Sequence, residues 1–327
     1  MKPQNKFLLI TNNEAQIRRF IEEVIISPKS TLKAWSQITK QTLAVKLGYI
    51  GQHLASLVTG VPGTGSGARG DDLADGSEVK SCNKIDQADK CKNCKHRVMR
   101  YEEVCPYCGS TEIERKEDSK WLFSVRSEEE LQQYLTMSRI VLLLMDYPNF
   151  EANDYKDIRI SVYEIYPQEE RMKVFGELLS NHYHNIYLPK LNDNAKTNPM
   201  NLHPFSYQFY KCNPINTFTC VIKDIETAPI INIQNFVLPN VERGTDMQSL
   251  PMPTNLLKPN EWQELLEKAP FERIEPLLTK KITKNEFAEL SKSEKEKVLP
   301  YLTESLREYL SLRPITSVRQ HTEYRRS

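Results

Sequence analysis

The stretch Asp71-Asp72-Leu73-Ala74-Asp75-Gly76-Ser77-Glu78-Val79-Lys80 sets two adjacent carboxylates, an Asp-Gly turn and an acid-x-Lys triplet close together. Side chains alternate along a strand, so a strand through Glu78-Val79-Lys80 turns Glu78 and Lys80 to one face and Val79 to the other. Asp75-Gly76 is a hairpin signal that folds the preceding acids back beside that face. Two carboxylates beside a lysine can hold a hard divalent cation and manage the charge of an attacking water, the chemistry of metal-dependent phosphodiester hydrolysis. The turn decides which acid joins Glu78. A two-residue loop pairs Asp71 with Lys80; a three-residue loop, Ala74 to Gly76, pairs Asp72 with Glu78. Asp72 is the preferred carboxylate, Asp71 the alternative, and Asp75 a turn residue. The plainer reading is a solvated acidic hairpin with a surface lysine.

Eight of the eleven glycines fall between Gly48 and Gly76, which concentrates backbone freedom just before the acids. Gly65-x-Gly67-x-x-Gly70 has the form of a dinucleotide fingerprint, but it follows a helical pattern and runs into an acidic turn, so that reading fails. Two readings remain, a flexible linker and a loop whose backbone N–H groups, with Arg69, approach a phosphate.

Behind the acid-x-Lys strand, Cys91-x-x-Cys94 and Cys105-x-x-Cys108 form two knuckles. Four thiolates so spaced predict a closed tetrahedral cage for a structural Zn²⁺, with no open position for catalysis. Cys82, Cys212 and Cys220 bring the cysteines to an odd seven, which argues against a disulfide framework. Around the first knuckle Lys90, Lys92, Lys95, His96, Arg97 and Arg100 are basic although the whole chain carries only +1, a local charge suited to phosphate contacts; Lys95 and Arg97 are the candidates for DNA.

The positioning elements read as a mixed α/β fold. Ile17, Phe20, Ile21, Val24 and Ile25 mark a helix, Leu32, Trp35 and Ile38 start another, and Leu43 to Val58 continues a helical pattern. Ser127 with Glu130 predicts a capped helix to about Met137. Ile140 to Met145 and the alternation of Ile158, Ile160 and Val162 predict strands, and Met172 to Leu179 a helix. Further strands are expected at Phe205–Lys211, Thr217–Ile222 and Ile230–Val237. Asn181, Asn185, Lys190, Asn192, Asn194 and Lys196 are weak candidates for base contacts, and His182-Tyr183-His184-Asn185 is superficially like a His-Asn-His nuclease. Helices are expected at Trp262–Ala269 and Tyr301–Leu312, then a basic tail from Arg313 through Arg319 to Arg325 and Arg326. Residues 1–250 thus form a nuclease and DNA-recognition domain with the zinc insertion at about 82–116, and 251–327 a helical C-terminal region. The longest aliphatic runs are too short to span a bilayer or to form a signal-peptide core, so a cytoplasmic chain is expected.

The run from Gly63 to Lys80, followed directly by a four-cysteine module, resembles the MamI family of type II restriction endonucleases, most closely over residues 40–120. The resemblance implies a restriction-endonuclease-like core built around an Asp and an acid-x-Lys pair. It implies Mg²⁺-dependent cleavage of both strands of double-stranded DNA, 5′-phosphate ends, and a cognate DNA methyltransferase in the same restriction system. Carried over, Glu78 and Lys80 match the acid and the lysine, and Asp72 or Asp71 the remaining carboxylate. The Pro usual before that Asp is absent. Asp72 and Glu78 would hold the Mg²⁺ and Lys80 would stabilise developing charge. A palindromic duplex further suggests a homodimer, with Leu302, Leu306 and Leu310 either its surface or part of the core. Two other classes share parts of this pattern: a structure-specific repair nuclease would share the acids and lysine, and a non-enzymatic zinc-ribbon DNA-binding protein only the knuckles.

Overall fold

The computed structural model describes residues 5–10, 13–65, 71–239 and 247–314. Helix α1 (Glu14–Ile21) starts where the Asn13 side chain accepts the Gln16 N–H at 2.8 Å. It widens through a π turn (Glu22–Ile26) into α2 (Ser27–Thr39), and Ile17, Ile21 and Ile25 are buried along it. Leu32, Trp35 and Ile38, expected to open a second apolar stripe, lie on α2 but face outward. Helix α3 (Gly48–Thr59) begins later than its Leu43–Val58 pattern. A Cβ at Gly51 would stand 1.9 Å from Ser81 Oγ, so only glycine lets α3 lie this close to the next strand.

That strand is β1 (Ser77–Asn83), which leads into a small sheet of β2 (Asp89–Cys91), β3 (Arg97–Val98) and β4 (Ile113–Glu114) in the order β3-β2-β4. The chain returns through β5 (Trp121–Phe123) and α4 (Glu128–Thr136) to β6 (Arg139–Asp146) and β7 (Ile158–Ile165). Ser127 Oγ accepts the Glu130 N–H at 3.3 Å as expected, while the Glu130 carboxylate reaches back to the Arg126 N–H at 2.7 Å. Next come α5 (Val174–His182), α6 (Leu188–Asn192), β8 (Met200–Leu202), α7 (Tyr207–Lys211), β9 (Ile215–Lys223) and β10 (Ile230–Phe236). The last labelled elements are β11 (Met252–Pro253), α8 (Pro259–Lys268) and β12 (Tyr301–Leu302).

The central sheet has the order β1-β6-β7-β9-β10, with β1 parallel to β6 and the other pairs antiparallel. Every residue of β6 is buried because both faces of the sheet are covered. Ile140, Leu142 and Leu144 meet a core containing Phe175, Leu179, Trp262 and Leu306; Val141, Leu143 and Met145 meet Ile17, Ile21, Leu54 and Val58. The result is the expected mixed α/β architecture, with β1 at the rim. Among the described residues no helix is long and apolar enough to cross a membrane.

Two expectations are corrected, and one weak likeness falls away. Phe205–Lys211 is not a strand: Ser206 Oγ caps the Phe209 N–H at 3.2 Å and nucleates α7. Tyr301–Leu312 is not one helix, because Met252 pairs with Leu302 in a strand bridge and only Glu304–Arg307 is helical. Leu302, Leu306 and Leu310 are then core residues, at most 3% exposed, and offer no dimer surface. His182 to Asn185 belong to α5 and the π turn that carries it into α6, so the His-Asn-His likeness has no strand pair behind it.

Candidate active site and metal centre

Leu73 bridges Ser77, and Gly76 N–H donates to the Leu73 carbonyl at 3.0 Å, so the turn before β1 has the three-residue form, Ala74 to Gly76. Gly76 takes φ 79°, the left-handed conformation this turn needs, where a side chain would be strained. The register sets Asp72 beside β1. Its Oδ2 accepts the Val79 N–H at 2.7 Å and its Oδ1 accepts Gln52 Nε2 at 2.5 Å, so α3 and β1 grip the carboxylate from two sides. Asp71 is exposed, and its carbonyl accepts the Thr64 hydroxyl at 2.6 Å. The approach segment lies alongside, with Ala74 N–H on the Pro62 carbonyl at 2.9 Å.

Glu78 and Lys80 share the less buried face of β1, opposite Val79, and the Lys80 ammonium donates to Glu78 Oε1. Both side chains are mostly buried. Burial raises the Asp72 carboxyl pKa, outweighing the Val79 N–H and the Lys80 charge that pull it down. Burial likewise raises that of Glu78 against the pull of Lys80. For Lys80 burial opposes the charge, but Glu78 and Tyr134 outweigh it and hold the ammonium above its usual pKa. All three groups therefore hold their protons more tightly than usual, the two carboxyls chiefly because burial disfavours their charge and Lys80 because its partners favour its charge. The two carboxylates offer the oxygen donors that a hard divalent cation takes, so the donor set fits Mg²⁺.

Two contributors escaped the sequence. Gln52 lay inside a helical pattern, and polar residues at helical spacing read as a solvated face. Tyr134, on α4, is buried with its ring centroid 6.0 Å from the Lys80 ammonium; three residues from Leu131, it has the spacing of ordinary core. Neither carried a signal beyond its place on a helix. Arg69, expected to clamp a phosphate, lies outside the described residues, as do Arg319, Arg325 and Arg326.

The four knuckle sulfurs converge. Cys91, Cys94, Cys105 and Cys108 bring their Sγ atoms within 4.8 Å of one another, with Cys91–Cys108 at 3.7 Å and Cys94–Cys105 at 3.5 Å. All four thiols are free. Sulfurs about 2.3 Å from a tetrahedral Zn²⁺ stand roughly 3.8 Å apart, so the cluster has the dimensions of a metal cage. Backbone N–H groups of Cys94 and Asn93 point at the Cys91 sulfur and pull its pKa down, whereas, against the pull of the His96 N–H, burial and the neighbouring thiols push that of Cys94 up, so the crowded sulfurs share their charge unequally. On the module surface Lys95 and Arg97 are exposed, and His96 stacks on Tyr107 with ring centroids 4.2 Å apart. Arg100 is not a surface charge. It forks onto Asp89 at 2.8 and 2.9 Å and packs against the rings of Tyr147, Phe150 and Tyr155, which removes it from the phosphate-contact candidates.

A mixed sheet whose rim strand carries an acid-x-Lys pair beside a second, half-buried carboxylate is the arrangement expected of restriction-endonuclease-type nucleases. The chain belongs to the MamI restriction endonuclease family, whose model matches residues 34–255. It is 35% identical over 139 residues to the type II restriction enzyme MamI of Microbacterium ammoniaphilum, a match covering 42% of this chain and 40% of that enzyme. No solved structure matches the chain.

Proposed function

We propose that the protein is a type II restriction endonuclease that hydrolyses both strands of double-stranded DNA at a specific sequence, with Mg²⁺, leaving 5′-phosphates. The observation that carries this reading is the three-residue turn that pairs Asp72 with the Glu78 and Lys80 face of β1. Asp72 and Glu78 are the carboxylates that hold the cation, and Lys80 stabilises the charge that develops on the phosphate as water attacks in line. Bound Mg²⁺ supplies Lewis-acid charge at the scissile phosphate. Gln52 and the Val79 N–H fix the Asp72 carboxylate, and Tyr134 fixes the Lys80 ammonium. Structural zinc occupies the four-cysteine cage, from which Lys95 and Arg97 reach the DNA backbone; Arg69 does so from the glycine run. A homodimer serves a palindromic site, with one centre per strand, inside the cytoplasm and alongside a cognate methyltransferase.

Incubation of the purified protein with phage DNA and Mg²⁺ tests the reading. Discrete fragments with 5′-phosphate ends are expected. A smear would demote the protein to a nonspecific or structure-specific nuclease, and intact DNA that is nevertheless bound would make it a zinc-module binding protein.

A further inference from the structure

A buried ion cluster stands behind the turn that carries Asp72. Arg139, the first residue of β6, is 1% exposed and lies opposite Ser77 in the parallel ladder. Its Nη2 donates to Asp75 Oδ2 at 2.7 Å, its Nε to Ser77 Oγ at 3.1 Å and its Nη1 to Glu164 Oε2, on β7, at 3.4 Å. The Tyr166 hydroxyl donates to the same Glu164 oxygen at 2.5 Å. Asp75 Oδ1 accepts the Ser77 N–H at 3.1 Å, and Ser138 Oγ donates to the Asp75 carbonyl at 2.7 Å. Four of these bonds end on the turn or on the residue that starts β1; the other two meet at Glu164, which holds the guanidinium from β7. Taking an arginine and two carboxylates out of water is costly, and apolar packing would stabilise the sheet as well. What a planar guanidinium adds is direction, because its fork fixes two partners at once.

We propose that Arg139 is a positioning residue for the cation site: through Asp75 it locks the Ala74–Gly76 turn so that the Asp72 carboxylate stays against the Glu78 face of β1. The inference rests on the metal-dependent reading above. Without the fork the turn is free to relax toward the alternative hairpin register, which carries Asp72 away from Glu78. A lysine at this position keeps the charge but satisfies one carboxylate at a time.

The test is a Mn²⁺ titration of the full chain, without DNA, followed by loss of the free-ion paramagnetic resonance signal. Wild type should bind, and Glu78→Gln should lose the site. Arg139→Lys and Asp75→Asn should each raise the apparent dissociation constant about tenfold or more, as loss of a supporting bond commonly does. The control is Arg159→Lys, which breaks a comparable fork on Asp146 (3.0 and 2.5 Å) at the far end of β6 and should leave Mn²⁺ affinity unchanged. A purely structural role for Arg139 lowers the melting temperature in both arginine variants and leaves the affinity of the folded protein alone. Unchanged affinity in folded Arg139→Lys or in Asp75→Asn, the isosteric variant that preserves packing, would overturn the proposal. Absence of any Glu78-dependent Mn²⁺ site in wild type would instead overturn the metal-dependent reading.

Discussion

Lys80 of β1 and Tyr134 of α4 meet with the ammonium 6.0 Å from the ring centroid, and the phenol helps hold the Lys80 pKa up. The contact helps fix the ammonium beside Glu78. Tyr134→Phe keeps the packing and removes the hydroxyl. A polar contact to a charged group contributes on the order of 1.5 kcal/mol, so DNA cleavage should slow by about tenfold with little change in melting temperature. Steady-state cleavage at saturating Mg²⁺ checks this.

Lys80→Ala removes the charge itself. Loss of one transition-state stabiliser commonly costs about 100- to 1,000-fold in rate, and DNA binding should survive because the residue sits on the rim strand and not in the core. Plasmid cleavage and gel-shift assays run together separate the two, and near-wild-type cutting would remove Lys80 from the mechanism.

The raised carboxyl pKa values of Asp72 and Glu78 predict a pH signature in protein free of Mg²⁺. Between the ordinary carboxylate range and the raised folded values, the folded state binds more protons than the unfolded one. Stability therefore falls as pH rises through that window. Glu78→Gln should flatten the fall and gain melting temperature relative to wild type on its alkaline side. Thermal melts across the acid-to-neutral range measure it, and parallel curves for the two proteins would contradict the burial argument.

Protein purified without chelator should carry one zinc per chain, and Cys105→Ser should be unstable or insoluble, since structural zinc supplies folding free energy directly. Elemental analysis decides; zinc-free, fully folded wild type would exclude the cage.

Leu306 is fully buried in the core shared with β6. Leu306→Ala should cost about 2–5 kcal/mol in urea unfolding, the usual range for a buried leucine. Its sedimentation should match that of wild type, because the side chain contributes to the core and not to a contact between copies.

Much of the site's framework was legible because it is local. Glu78, Lys80 and the Asp-Gly turn are sequence neighbours, and the question of whether Asp71 or Asp72 lies beside β1 reduced to counting loop residues, a count the Leu73–Ser77 bridge makes three. That bridge shows only the loop length and hence which acid lies beside β1. The two CxxC knuckles were legible because they too are local. Gln52, Tyr134 and Arg139 were not, because each reaches the site across tertiary space from a helix or strand whose own pattern is unremarkable. Arg139 directly precedes a run read as wholly apolar, and nothing local says that a charge there meets two buried acids. Phe205–Lys211 misled because aromatic residues favour strands on average, whereas one well-placed serine at the N-cap decides a short helix. Arg100 misled because charge was counted without its partner, Asp89.

The parallel pairing of β1 with β6 has a consequence for timing. Parallel neighbours cannot be joined by a tight hairpin, and here the cysteine module, β5 and α4 all lie in the crossover between them. A ribosome releases Glu78 and Lys80 well before it releases Arg139, and the ladder that aligns them closes over a long loop, a slow event. A nascent chain thus carries the reactive side chains in an unassembled, inert strand. If the centre acts as proposed, competence waits for β6 to dock, and a polypeptide ending before that strand lacks the Arg139 fork on its turn.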